Sequence, residues 1–238
     1  MPDGPIFGHG GSEGAYLVVG IGGAARIRGT YVVLVNDCSA ACHSTRIWTS
    51  SDGLHWFRRA PRVTANHHLG TLSSGRGQLL GTITVERGIT FHDVVAVSRD
   101  GITWRRLGSL PGNSAPLAQS SVGYVTVGAG TDPAGGPAIW TSTEGTTWTQ
   151  RFQAPAGWTL DQIAANDLVV AVVASPNSVD DERAPVLVSI DGGVTWAQTG
   201  WSADVAGCVS SVAITATAIV AVGGGCQSAS SAWIASLP

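Results

Sequence analysis

Apolar residues along this chain fall in short unbroken runs, not in the i, i+3, i+4 spacing of an amphipathic helix. Five runs stand out, at residues 31–35, 78–85, 124–128, 168–174 and 219–222, rich in valine, leucine and isoleucine. Runs of that length and composition belong to strands buried on both faces. A weaker alternating segment precedes each run, as at 211–215. A further strand follows the first four, at 46–50, 94–98, 138–142 and 186–189, and then a turn and a short strand that opens on a tryptophan. The pattern predicts an all-β chain with four antiparallel strands per period.

The turn before each short strand is one phrase written four times: Ser50-x-Asp52-Gly53-x-x-Trp56, Ser98-x-Asp100-Gly101-x-Thr103-Trp104, Ser142-x-Glu144-Gly145-x-Thr147-Trp148 and Ser189-x-Asp191-Gly192-Gly193-x-Thr195-Trp196. The closing tryptophans lie 48, 44 and 48 residues apart. A fixed period of this size marks a repeat architecture. Four strands in ~47 residues make one blade of a β-propeller. Trp48, Trp140 and Trp233 share a second slot, 92 and 93 residues apart, which adds a fifth unit at the C-terminus. The outer strand of that unit would fall beyond residue 238, and a strand at 15–19 is expected to replace it and close the ring without an open edge. The expectation is a single-domain, five-bladed propeller. Its blades lie at about 21–60, 67–108, 115–153, 158–200 and 207–238, the last completed by 15–19.

The phrase has a structural explanation. An aspartate accepts hydrogen bonds from the backbone N–H groups of its own turn, and the glycine after it tolerates positive φ. The serine or threonine hydroxyl joins that local network, and the tryptophan packs on a sheet. Ser50, Asp52, Gly53, Trp56, Ser98, Asp100, Gly101, Trp104, Ser142, Glu144, Gly145, Trp148, Ser189, Asp191, Gly192 and Trp196 are therefore read as anchors, not as catalysts.

These turns resemble the Asp-box (BNR) repeat of sialidases and other extracellular propellers, and the four copies cover most of the chain. Only the copy from Ser189 to Trp196 has the full length, while Glu144 and His55 stand where the repeat usually has Asp and Thr. A sialidase would carry an arginine triad, a Tyr nucleophile paired with Glu, and an Asp acid/base. The Phe/Tyr-Arg-Ile-Pro signature of that family is absent, the nearest string being Ala25-Arg26-Ile27-Arg28, and Tyr16, Tyr31 and Tyr124 fall in core strands. Five-bladed glycosidases of the arabinanase type need carboxylates on the innermost strands of different blades. Asp161 and Asp204 stand at comparable positions, with Asp93 and Asp132 in loops and no glutamate on an innermost strand.

Composition narrows the partners. Of 238 residues 44% are apolar and 12% charged, the net charge is −3, and all 13 basic residues are arginine. No basic run with interleaved aromatics occurs, which argues against nucleic acid. The chain opens Met1-Pro2-Asp3-Gly4, without the pattern of a secretory signal. Residues 205–238 are uncharged, but serine, threonine and glycine interrupt them too often for a membrane span. The cysteines form two local pairs, Cys38 with Cys42 and Cys208 with Cys226, read as disulfides with free thiols as the alternative. Disulfides place the protein outside the cell or in its envelope.

Ligands of propellers meet the loops at one mouth of the channel, and loops are where function is sought. The candidates there are His43, His67, His68, His92, Asp93, Trp158 and Trp201. None has the spacing of a metal site, and no cofactor is expected. The leading expectation is a monomeric, non-enzymatic binding or scaffold propeller for a glycan or protein partner. The alternative is a glycan-processing glycoside hydrolase of sialidase or arabinanase type.

Overall fold

The computed structural model describes residues 19–37, 44–63, 67–87, 90–112, 116–176, 185–199, 208–224 and 230–237. They form five separate antiparallel sheets, with no helix long and apolar enough to cross a membrane. The chain divides into two compact units, Met1–Ser109 and Leu110–Pro238.

The first unit carries two four-stranded sheets, each laid down in sequence order. Blade 1 consists of β1 (Val19–Ile27), β2 (Thr30–Asp37), β3 (Ser44–Ser50) and β4 (Phe57–Arg59). Blade 2 consists of β5 (His67–Ser74), β6 (Leu79–Arg87), β7 (Thr90–Ser98) and β8 (Arg105–Ser109). The second unit carries blade 3, with β9 (Leu117–Ser120), β10 (Gly123–Gly128), β11 (Ala138–Ser142) and β12 (Thr149–Gln153). Blade 4 follows with β13 (Trp158–Ala165), β14 (Val170–Pro176), β15 (Val186–Ser189) and β16 (Ala197–Gln198). The fifth sheet has three strands among the described residues: β17 (Cys208–Ile214), β18 (Ala218–Gly224) and β19 (Ser230–Ser236). The fold is a five-bladed β-propeller.

Hydrophobic burial explains which runs become interior strands. In β14, Val170, Ala171, Val172, Val173 and Ala174 are all buried, because successive side chains point to opposite faces and both faces are covered. The odd and even members of that run feed two different clusters. Val170 and Val172 pack with Val125, Ile139 and Leu187 of blades 3 and 4. Ala171 and Val173 pack with Val209, Val212 and Ile219 of blade 5. In the first unit, Val32, Leu34 and Ile47 of blade 1 meet Leu69, Leu79, Ile83 and Trp104 of blade 2. Polar clips fix the spacing between neighbours: Ser120 Oγ donates to Gly192 O at 2.7 Å, and Asn166 Nδ2 to Thr215 O at 3.3 Å.

Two expectations change at the strand ends. Val19 begins β1 and pairs with Asp37, so it belongs to blade 1 and not to a separate closing strand; residues 15–18 lie outside the described set. The short outer strands also start one residue later than expected, at Phe57, Arg105, Thr149 and Ala197. The tryptophan indole bonds back into the turn, which leaves the next residue to begin the ladder.

Candidate functional site

Each serine–acid turn joins the third and fourth strands of its blade. In the first copy, Ser50 Oγ accepts from Gly53 N at 2.8 Å and donates to Asp52 Oδ1 at 3.0 Å. The same Oδ1 accepts from Leu54 N and His55 N at 2.9 and 2.8 Å, and His55 Nδ1 lies 2.7 Å from Asp52 Oδ2. Asp100 receives Ile102 N and Thr103 N at 2.8 and 2.7 Å, and Asp191 receives Val194 N and Thr195 N at 3.0 and 2.9 Å. Glycine is required where φ reaches +79° at Gly53 and +76° at Gly101. The indoles of Trp56, Trp104 and Trp196 donate to Gly53 O, Gly101 O and Gly193 O at 3.0, 3.1 and 2.9 Å. In the third copy Gly145 N donates to Ser142 Oγ at 2.8 Å, while the Glu144 side chain is exposed.

Hydrogen bonding to the ionised form holds these carboxylates below the ordinary aspartate range. The His55 side chain is the chief cause for Asp52, and the Thr195 hydroxyl for Asp191. For Asp100, partial burial works upward and is outweighed by the N–H groups of Thr103 and Ile102 and the Ser98 hydroxyl. All three are therefore anionic hydrogen-bond hubs whose oxygens serve the turn itself.

The loops of chemical interest lie at the other end of the sheets. In the second unit, the β10–β11 loop and the start of β13 enclose a cavity of about 610 Å³, lined by Ala129, Gly130, Asp132, Pro133, Trp158 and Thr159 among others. Side chains from β12 hold that loop in place. Gln150 Oε1 accepts from Thr131 N at 2.8 Å, and Gln153 Nε2 donates to the carbonyls of Asp132 and Gly136 at 2.9 and 3.2 Å. A Cβ at Gly130 or Gly135 would collide with the Gln153 amide. Trp140 Nε1 donates to Ala129 O at 3.1 Å, and Asp132 Oδ1 accepts from Ala134 N at 2.9 Å. Trp158 is half-buried against the blade 3–4 core and also lines the cavity.

Asp161 lies at a bulge between Leu160 and Gln162, where the register of β13 against β14 shifts. Bulges re-aim a side chain. Its Oδ2 accepts from Thr159 Oγ1 at 3.0 Å, so the carboxylate is tied to a residue of the cavity wall. β1, β5 and β17 carry bulges in their first strands as well, skipping Gly22, Gly70 and Ser210. Only in β13 does a bulge of a first strand present a carboxylate among the described residues.

The remaining candidates scatter. Asp93 and His92 were expected in a loop, but both lie within β7, because β6 pairs with β7 out to Arg87 and Thr90. Asp93 is 4% exposed, and Thr84 Oγ1 donates to its Oδ1 at 2.6 Å. His67 and His68 stand in β5, opposite Val85 and Thr84. His43, Trp201, Asp204, Cys38, Cys42 and Cys226 lie outside the described residues, and Cys208 pairs through its backbone with Gly224. No group of three His, Cys, Asp or Glu side chains suited to a metal ion occurs among the described residues. Sequence reasoning missed Gln150 and Gln153 altogether. Nothing in their spacing distinguishes a loop-holding glutamine from a solvated one.

No protein-family model and no curated protein sequence matches the chain. Solved structures do. The chain is similar to a thermostable family-43 glycoside hydrolase at 10% identity and a TM-score of 0.53, covering 93% of this chain and 90% of that one. It is also similar to an exo-β-1,3-galactanase from Phanerochaete chrysosporium bound to β-1,3-galactotriose, at 14% identity and a TM-score of 0.52. That match covers 91% of this chain and 59% of the galactanase. At such identities the likeness establishes the fold class, a propeller of the kind on which glycoside hydrolases are built. It corrects the leading expectation of a non-enzymatic binding or scaffold propeller, since both of these structures are glycoside hydrolases.

Proposed function

We propose that the protein is a glycan-processing glycoside hydrolase whose substrate enters the cavity between the β10–β11 loop and β13. One observation carries this reading: the cavity is lined by an aromatic platform, Trp158, and by the Asp132 carboxylate, while Asp161 follows the lining residue Leu160 at the β13 bulge and is bonded to another lining residue, Thr159. An aromatic face suits the apolar face of a sugar ring. Glycosidic cleavage needs one carboxyl group to protonate the leaving oxygen and a second to activate water or attack the anomeric carbon. Asp132 and Asp161 are assigned as that pair, Thr159 as the residue that orients Asp161, and Gln153 as the residue that holds Asp132 in place.

The reading is tested with a panel of aryl glycosides and oligosaccharides, following released product. Asp132→Asn and Asp161→Asn should each lower kcat/KM by about 10²-fold or more. Trp158→Ala should act mainly on KM. Folded variants that turn over substrate like the parent would remove both carboxylates from the mechanism. A panel without any turnover would remove the hydrolase reading itself.

The serine–acid turns are assigned to the Asp-box type on the strength of the shared hydrogen-bond pattern. Secretion and disulfides at Cys38–Cys42 and Cys208–Cys226 complete the proposal, which thiol titration of oxidised protein tests.

A further inference from the structure

The two units differ in charge. Residues 1–109 hold eleven arginines against seven carboxylates, a formal +4, and residues 110–238 hold two against nine, a formal −7. No linear run of arginine signals this, because the residues are dispersed over strands. The fold gathers several of them at the edge strands of the first unit. Arg58 and Arg59 on β4 and Arg105 and Arg106 on β8 are exposed, and each strand is the last of its sheet. Arg62 N donates to Ile102 O at 2.7 Å and Arg62 bridges Thr103, which brings the end of blade 1 against the turn that leads into β8. The corresponding edge strands of the second unit open with Thr149-Gln150 and Ala197-Gln198. Its one arginine there, Arg151, donates from Nε to Thr141 Oγ1 at 2.9 Å.

Beside this edge lies a cleft of about 410 Å³, lined by Gln78, Arg99, Thr103 and Arg105 together with Ser98 and Asp100. Asp100 Oδ1 accepts from Ser98 Oγ, Ile102 N and Thr103 N, which ties that oxygen to the turn. Arg99 and Arg105 thus flank an open cleft. A guanidinium fork matches a carboxylate bidentately. Arginine alone does not distinguish a polyuronate from a nucleic acid, which also needs stacking platforms when single-stranded. The nearby aromatic on the β4 edge, Phe57, already has the Arg59 guanidinium over its ring at 5.7 Å.

We propose that the Arg99–Arg105 cleft of the first unit binds the carboxylates of an acidic polysaccharide, which makes a uronate-bearing glycan its ligand class. This rests on the glycan-processing reading above. The site holds the polymer by charge and is separate from the carboxylates assigned to cleavage.

The test uses the full chain and three probes at low and high salt: polygalacturonate, a neutral galactan and duplex DNA, with affinity read by titration. Polygalacturonate should bind at low salt and weaken steeply as salt rises, while the neutral galactan does not bind. Arg99→Gln with Arg105→Gln should weaken binding about tenfold or more and flatten the salt dependence, at an unchanged melting temperature. Arg105→Gln alone serves as a second variant should the double one fail to fold, and should weaken binding in the same direction. Equal affinity for the neutral galactan, unchanged binding by a folded variant, or tighter binding of DNA than of polygalacturonate would overturn the proposal. Asp161→Asn separates the two readings, since it should abolish cleavage and leave polygalacturonate binding intact. Cleavage of neutral glycosides without polyuronate binding sinks this inference alone. Polyuronate binding without any glycosidic cleavage sinks the hydrolase reading alone.

Discussion

Replacing Trp104 with alanine tests how far the repeated turn is a packing device. Trp104 is 8% exposed and belongs to the cluster that joins blades 1 and 2, with Val32, Leu34, Leu79 and Ile83. Its Cζ3 reaches to 3.0 Å of where a Cβ would stand on Gly81, so the indole lies directly on β6. Truncation of such a residue costs roughly 3–5 kcal/mol, from lost transfer energy and the cavity left behind. Loss of the indole bond to Gly101 O at 3.1 Å adds about 1 kcal/mol. Trp56 occupies the same slot of blade 1 and makes the same bond to Gly53 O, but it is more exposed. Trp56→Ala should therefore cost less than half as much. Urea titration at neutral pH resolves the pair, with a shifted midpoint at an unchanged slope as the signature of altered stability. Equal losses for the two variants, or a loss under about 1 kcal/mol for Trp104→Ala, would refute the packing account and leave the hydrogen-bonded turn as the main contribution.

Three further outcomes follow from the same contacts. Asp52 and Asp191 have folded pKa values held below the unfolded one, so their contribution is fully present above the unfolded value and fades as pH falls toward the folded one. Melting of the parent and of Asp191→Asn should consequently differ by a constant amount from neutral pH to ~4 and converge only in stronger acid; a gap that closes near pH 6 would contradict this. Gln153→Ala removes the donor to Asp132 O and Gly136 O, which should speed amide exchange at Thr131, Asp132, Gly135 and Gly136 and cost about 1 kcal/mol. Unchanged exchange in that loop would show that Gln150 and Trp140 suffice to hold it. Gly135→Ala should have a comparable or larger effect, because the added methyl meets the Gln153 amide; a neutral result in melting experiments would show that the amide has room to move.

Much of the fold was legible because it is written in short-range chemistry. A strand buried on both faces leaves an unbroken apolar run, as at Val170–Ala174, wherever it occurs in the chain. A turn closed by its own carboxylate, as at Asp191, spans so few residues that spacing alone reveals it. Repetition of both at a fixed period is enough to count blades. The candidate site was legible only in part. Asp132, Asp161 and Trp158 were visible as residue types in the right segments. Their placement was not, because it depends on a bulge in β13 and on two glutamines of β12 that brace a loop about 20 residues earlier in the chain.

The tertiary structure decided the rest. Asp93 reads in the sequence as a loop carboxylate beside a histidine, yet the pairing of β6 with β7 out to Arg87 and Thr90 carries it into β7, where Thr84 supplies the bond that its burial demands. The arginines of the first unit read as isolated charges, and only strand pairing places Arg58, Arg59, Arg105 and Arg106 on the last strands of their two sheets. Sequence spacing records what a residue does with neighbours a few positions away. Burial, bracing and shared charge depend on partners farther away, 9 positions for Thr84 and Asp93 and 49 for Asn166 and Thr215, and those partnerships exist only once the sheets have packed.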